Sequence, residues 1–303
     1  MTLDVIIVNF HSAPLIERTV SVAERYAGGP VRFVLVDNSP GDGAAGILRS
    51  LKPDAVVISN PVNRGFAAAV NQGIAAGEGD LLLLLNPDVD RVTGSHDEAV
   101  RAFADPRVAV VAARLRNPDG TVQPSCFRSP RPFDLVSEDL ALAQRFPHLE
   151  RARRYRMLDW DYGAPRLVDA ATGAFLLLRR AAFDDVGPFD ERFFVYCEEV
   201  DWQIRAARRG WRTQFLPALE AYHETTGSSP GVRSRSSLLL LESQHRYSEK
   251  HFGRPVSVAL RATLTGIDAA RVVRHSAGGS RDRRDAAIDR IRVHVTARAP
   301  RPA

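Results

Sequence analysis

Short apolar runs rich in β-branched residues alternate with segments of helical period through the first third of the chain. Residues 3–8, 31–36, 55–59 and 80–85 each read as a strand buried on both faces. Between the first two, residues 14–26 carry Leu15, Ile16, Val20 and Ala23 on one helical face, and Gly28-Gly29-Pro30 stops the helix. A shorter helix follows the second strand, and residues 66–76 form another before the fourth. This alternation predicts an α/β fold with a mainly parallel, Rossmann-like sheet flanked by helices. Further strands are expected at residues 108–113, 168–179 and 211–216, with a tight hairpin turn at Asn117-Pro118-Asp119-Gly120. Residues 124–162 are irregular, with one helical piece over 135–145, and read as an excursion over a cleft. Residues 238–252 and 256–274 read as helices, the second with a basic face.

Composition narrows the class. The chain has 303 residues, 45% hydrophobic and 25% charged, ordinary values for a globular protein. Apolar runs such as 81–85 and 174–178 fall far short of a membrane span. The first residues lack both a basic start and a cleavage site, so they read as a strand rather than a signal peptide. Cys126 and Cys197 have neither disulfide-framework nor metal-ligand spacing, and a cytoplasmic protein is expected. From Arg246 onward there are 13 Lys and Arg against 5 Asp and Glu, a net of +8, while the rest of the chain carries −3. A basic tail suits an anionic surface, phospholipid in preference to nucleic acid, and a solvated, partly disordered tail is the alternative for the last residues.

The polar residues cluster directly after the strands. Asn9, Asp37-Asn38, residues 60–64 and residues 86–90 each follow one, outlining a crevice beyond the carboxyl ends of a sheet. Gly41–Gly46 spells G-x-G-x-x-G, but four polar residues separate it from its strand and no acidic residue ends the next one. It therefore reads as a glycine-rich turn and not as a nicotinamide site. Asp88 and Asp90 form a D-x-D that suits Mg²⁺ or Mn²⁺ as well as it suits a strand-ending turn. Thr172-Gly173 offers a close backbone approach to a ligand, and His223 is a candidate metal ligand on the side of Asp88. In residues 187–205 the aromatic run Phe193-Phe194-Val195-Tyr196 carries Glu198 and Glu199 away from solvent, which makes either one a candidate general base. Neighbours on a helix point about 100° apart, so one of the two is chemical and the other structural.

Taken together, IIVNFHS, VLVDNSPGDG, NRGFAAAVNQGI, LLLLNPDVD, the stretch from ATGAFLLLRR to WQIRAARRGW, and LPALEAYHETTGSS resemble the inverting nucleotide-sugar glycosyltransferases of family 2, in particular their rhamnosyltransferase-like branch. The match runs over residues 4–229 in the family's order, and the tail beyond Phe252 lies outside it. The resemblance implies a GT-A fold over residues 1–252, with 1–120 binding the nucleotide sugar and 121–252 the acceptor, followed by a basic helical to disordered extension over 253–303. It implies that Asp37 reads the nucleobase, with Asn9 and Asn38 beside it, and that Asn63, Arg64, Gly65 and Asn71 cradle the nucleotide. Asn86-Pro87-Asp88 stands where the family has its D-x-D, so Asp88 and His223 would hold Mg²⁺ or Mn²⁺. Glu199 falls at the family's general base, with Thr172 and Gly173 facing the donor. The family has Glu-Asp there, and this chain has Glu198-Glu199, so sequence does not separate Glu198 from the role.

The expected activity is metal-dependent, inverting transfer of a sugar from a nucleoside-diphosphate donor, dTDP-rhamnose first and a UDP-sugar second. The acceptor would be a cell-envelope glycan or lipid-linked intermediate, approached at the inner face of the plasma membrane through the basic tail. Two other classes stay open at this level: a catalytically silent sugar-nucleotide-binding protein, from the Glu198-Glu199 pair, and an NAD-dependent oxidoreductase, from Gly41–Gly46.

Overall fold

The structure, a computed structural model, describes residues 1–224 and 230–301, and side chains throughout except at 230–234. Residues 225–229, which end the last resembling segment, lie outside the described residues. In chain order the strands are β1 (Leu3–Asn9), β2 (Arg32–Asp37), β3 (Val56–Ser59), β4 (Leu81–Leu85), β5 (Val89–Thr93), β6 (Val108–Arg116), β7 (Cys126–Phe127), β8 (Arg166–Val168), β9 (Ala170–Ala171), β10 (Phe175–Arg179) and β11 (Arg212–His223). The helices are α1 (Ile16–Ala27), α2 (Ala44–Leu51), α3 (Phe66–Ala76), α4 (His96–Ala102), α5 (Pro132–Asp139), α6 (Leu142–Arg145), α7 (Glu150–Arg153), α8 (Arg180–Val186), α9 (Glu198–Arg208), α10 (Pro230–Phe252), α11 (Arg254–Ala277) and α12 (Arg281–Thr296). The chain divides into two compact units, one of residues 1–129, 156–191 and 198–226, the other of 130–155, 192–197 and 227–303.

The first unit is built on a sheet of order β3-β2-β1-β4-β10-β6-β11-β5, with β8 on β11. It is parallel from β3 to β4, as the alternation predicts, and mixed beyond: β10 runs antiparallel to both neighbours, and β11 is parallel to β6 but antiparallel to β5 and β8. The strands read as unbroken apolar runs because both faces are covered. Val5, Ile7, Leu35 and Leu83 pack with Ile16, Val20 and Phe103 on one side. Ile6, Val34, Leu82 and Leu84 pack with Val70, Ile74 and Trp202 on the other. The register sets Asn9 beside Asp37 and Asp37 beside Ser59, so the polar residues after these strands share one sheet edge.

Two expected strands take a different form. Residues 168–179 break into β8, β9 and β10, which pair in three different places: β8 on β11, β9 on β7 in a two-stranded sheet, β10 inside the main sheet. The strand expected at 211–216 continues as β11 to His223, because residues 217–219 bulge out between Leu216 and Glu220 where β11 runs along β6. Pro217, which has no N–H to give a ladder, sits in that bulge. Gly94 packs under it, at φ +87° and with the Ala218 carbonyl oxygen 2.4 Å from where a Cβ would stand, so only glycine fits.

The second unit is helical, with Leu238, Leu239, Leu241, Leu264, Val293 and Ala299 at its core. Residues 281–296, for which partial disorder was one expectation, are helix α12. Its inward face explains why: His294 Nε2 lies 2.9 Å from Asp268 Oδ2, and Arg290 Nε donates to the same oxygen at 2.9 Å. Arg271 donates to Asp268 and Asp139, and Arg290 also reaches Asp139. Arg261 is spent on the carbonyls of His294 and Val295, and Arg301 on Glu242. Much of the tail's positive charge therefore neutralises buried carboxylates. Arg254, Arg274, Arg281, Arg283, Arg292, Arg298 and Arg301 are exposed.

Candidate active site

The residues singled out by sequence all belong to the first unit. At the ends of β1 and β2, buried Asn9 donates from Nδ2 to Asp37 Oδ1 (2.9 Å), Ser39 Oγ (3.0 Å) and Asp42 Oδ2 (2.9 Å). The Ser39 N–H adds a bond to Asp37 Oδ1 at 3.0 Å, so one Asp37 oxygen is pinned by two donors. Asn38 Nδ2 donates to the Gly65 carbonyl (3.2 Å), and its Oδ1 accepts from Asn60 Nδ2 (2.8 Å). Asn63 closes its own turn by accepting the Gly65 N–H at 2.9 Å. Gly65, at φ +85°, then starts α3. Asn71 is engaged elsewhere: it pairs with the Phe189 backbone in both directions at 2.9 Å and donates to Glu191, which also faces Arg64 at 3.6 Å. In the glycine-rich turn, burial works against the Asp42 carboxylate, yet bonds from the Ala44 N–H, Asn9 and Ser39 hold it below its ordinary range. That carboxylate braces the turn and the start of α2, in keeping with a structural G-x-G-x-x-G.

The second cluster joins β5 to β11. His223 Nε2 lies 3.2 Å from Asp88 Oδ1, both side chains largely buried, and the Glu224 N–H donates to the Asp88 carbonyl at 2.9 Å. His223 Nδ1 is 3.0 Å from Gln123 Oε1. The β5–β11 register slips here: Tyr222 pairs with Arg91 but His223 with Val89, which leaves Asp90 as the extra residue of a bulge. Bulges re-aim side chains, and this one separates the two aspartates of the D-x-D, with Asp88 turned to His223 and Asp90 Oδ1 buried without a hydrogen-bond partner.

The third cluster carries Glu199 on the first turn of α9. The chain reaches it through Tyr196 and Cys197, both left-handed (φ 70° and 66°), at a cost of about 1 kcal/mol or more each. Burial raises the Glu199 carboxyl from 4.5 to about 7, against hydrogen bonds from the backbone N–H groups of Glu199, Val200 and Gly173. Its Oε2 is buried without a hydrogen-bond partner. Glu198 is more deeply buried, only 3% exposed. A Cβ on Gly173 would meet Phe66 and Glu199 at ordinary contact distances of 3.8–3.9 Å, so close approach does not demand glycine here. What this position supplies is its N–H to Glu199.

Gln203, one turn beyond Glu199, is the residue that sequence reading missed. It accepts the Ala171 N–H at 2.9 Å, donates to the Ala171 and Glu199 carbonyls at 2.7 and 2.9 Å, and takes the Thr213 hydroxyl at 3.1 Å. Its spacing of four from Glu199 was the available signal. The three clusters form one connected site. Gly65 and Phe66 lead from Asn38 to Gly173 and Glu199, the Asn86 N–H donates to the Ala174 carbonyl at 2.9 Å, and the Thr172 N–H donates to the Ser125 carbonyl at 2.9 Å, two residues from Gln123.

Residues 4–187 match glycosyl transferase family 2. The chain belongs to that family. It is a glycosyltransferase, and its solved structural relatives have the GT-A fold. It is 30% identical to the N-acetylglucosaminyl-diphospho-decaprenol L-rhamnosyltransferase of Mycobacterium tuberculosis, over 93% of this chain and 96% of that protein. Among solved structures, a mannosyltransferase from Pyrobaculum calidifontis in complex with GDP-Man and Mn²⁺ superposes with a TM-score of 0.53 at 17% identity, over 97% of this chain and 85% of that one. TarS residues 1–349 from S. aureus in complex with UDP gives a TM-score of 0.51 at 14% identity, over 99% and 93%. No helix among the described residues of this glycosyltransferase is long and apolar enough to cross a membrane.

Proposed function

We propose that this family 2 enzyme is a metal-dependent, inverting rhamnosyltransferase that uses a nucleoside-diphosphate donor, dTDP-rhamnose first, and a lipid-linked acceptor of the cell envelope. The observation that carries the reading is a carboxyl pushed up to about 7 and tied by the Gly173 N–H to the loop that meets the Asp88 turn. A group with that proton affinity serves as a general base near neutral pH. The decaprenol-linked rhamnosyltransferase supports the donor sugar and acceptor class.

In this reading Glu199 takes the proton of an acceptor hydroxyl, whose oxygen attacks the anomeric carbon from the face opposite the nucleotide. The bond from that carbon to the diphosphate oxygen breaks, its electron pair leaves with the diphosphate, and configuration inverts. Gln203, through the Glu199 carbonyl, and the Gly173 N–H orient the base, while Glu198 stays buried. Asp37 reads the nucleobase, and the turn at Asn63, Arg64 and Gly65 covers the phosphates.

The residues near Asp88 fit a divalent cation. With His223 Nδ1 facing an acceptor oxygen, its Nε2 lies 3.2 Å from Asp88 Oδ1, so the two atoms that would hold a cation already face each other. No cluster of three or more His, Cys, Asp or Glu ligands occurs among the described residues, so Asp88 and His223 would leave positions for phosphate oxygens. When bound, Mg²⁺ or Mn²⁺ supplies positive charge that offsets the charge growing on the departing diphosphate.

A calorimetric titration of UDP, dTDP, GDP and NAD, with and without Mn²⁺, tests the reading. dTDP or UDP should bind only with metal, and the binding should vanish in Asp88→Ala. Binding of NAD alone, or of no diphosphate with metal present, overturns it. The exposed arginines Arg254, Arg274, Arg281 and Arg283 are the surface for a contact with anionic lipid at the inner face of the plasma membrane. Sedimentation with phosphatidylglycerol vesicles should fall when all four are changed to glutamate.

A further inference from the structure

Gln123 lies 100 positions before His223 in the chain and joins it through a directed line of hydrogen bonds. The line starts at Asp119, held below the ordinary carboxylate range by bonds from the Thr121 hydroxyl and N–H, so it only accepts. The Thr121 hydroxyl donates to Asp119 Oδ1 at 2.6 Å and therefore accepts from Asn117 Nδ2 at 2.9 Å. With its amide nitrogen so used, Asn117 turns Oδ1 to Gln123 Nε2 at 3.3 Å. Gln123 is left with its oxygen toward His223 Nδ1, at 3.0 Å. A carboxamide oxygen only accepts, so Nδ1 must carry a hydrogen, which leaves Nε2 as the ring nitrogen able to offer a lone pair to a cation. The Gln123 N–H also donates to the Leu115 carbonyl at 2.9 Å and the Asn117–Thr121 turn is closed by its own backbone bonds, which keeps the line in place.

We infer that Gln123, oriented by the hairpin residues Asn117, Thr121 and Asp119, is a positioning residue that holds a hydrogen on Nδ1 of His223 and so reserves Nε2, beside Asp88, for a metal ion. The inference rests on the metal-dependent reading of the site for its purpose, but not for its tautomer. The hairpin thus has a part in the site that its turn sequence does not advertise. Acceptors behind metal-binding histidines are a recurring device, and their loss weakens metal affinity by about 10- to 100-fold.

Two measurements on the full chain test it. The first is ¹⁵N chemical shifts of the His223 ring in the metal-free protein, assigned by comparison with His223→Gln. With the ring neutralised at alkaline pH, wild type should show a protonated Nδ1 and a bare Nε2, and Gln123→Leu should show mixed tautomers, while Gln123→Glu, which keeps an acceptor, should retain the wild-type pattern. The second is Mn²⁺ affinity in the presence of dTDP, followed by electron paramagnetic resonance. Affinity should fall about 10- to 100-fold in Gln123→Leu and stay within a few-fold in Gln123→Glu. A protonated Nε2 in the neutral wild-type ring, or unchanged ring shifts in a folded Gln123→Leu, overturns the inference. Wild type that binds no Mn²⁺ with any diphosphate sinks the metal reading of the site, while the ring shifts still decide the role of Gln123.

Discussion

Glu199 shows how burial fits an ordinary side chain for the role of base proposed for it. Its carboxyl holds a proton up to about 7, and the charged form must exist for it to act as a base. Transfer should therefore rise with pH through about 7 and level off above, as a kcat profile would reveal. Glu199→Gln should lower transfer by about 10²- to 10⁴-fold while leaving metal-dependent nucleotide binding intact in calorimetry. The stability effect has the opposite sense. The folded value lies above the ordinary 4.5, so the stabilisation it brings is complete below that pH and is lost as pH rises through about 7. At pH 8 Glu199→Gln should unfold at higher denaturant than wild type, by on the order of 1–3 kcal/mol. The pair Glu198-Glu199 was legible in the chain, because apolar neighbours announce a desolvated acid. Which of the two receives the Gly173 N–H was not, because that donor is supplied from another segment.

At the scale of elements, the site depends on how strands and helices are interrupted. Gln203 locks α9 to β9 through both polar groups of Ala171. Gln203→Leu leaves those buried groups without their partners, at about 1–3 kcal/mol. It should also cut kcat more than it changes nucleotide affinity, and steady-state kinetics with calorimetry separate the two. Gly94 plays the same part for β11, allowing the bulge that carries the strand on to His223. Gly94→Ala sets a Cβ against the Ala218 carbonyl, and a drop of roughly 1–3 kcal/mol in unfolding free energy should follow. Helix α3 and the first four strands could be placed from periodicity because their patterns are local. The bulges at Asp90 and at residues 217–219 could not, since each exists only relative to a partner strand.

For the molecule as a whole, the tail beyond Phe252 looked separable in sequence and is integral to the second unit. Removing it strips Leu264, Val293 and Ala299 from Leu238, Leu239 and Leu241, and takes His294, itself paired with Asp268, from His245, whose imidazole burial holds near 3 and therefore neutral. A chain ending at Phe252 should expose this surface, read as increased binding of an apolar dye and rapid proteolysis of α10. Lipid contact is thus better tested by charge reversal in the full chain than by truncation. The sequence by itself determined the α/β class, the family and the polar edge after β1 to β4. Each follows from patterns within a few residues: apolar runs, turn residues and acids placed where a strand ends. Only the tertiary structure decided that Asp90 is the extra residue of a bulge, that Glu199 is held by Gly173, and that Gln123 stands behind the histidine. Those choices are made by side chains brought together across tens to a hundred residues, where register and bulges, and not local preference, set direction.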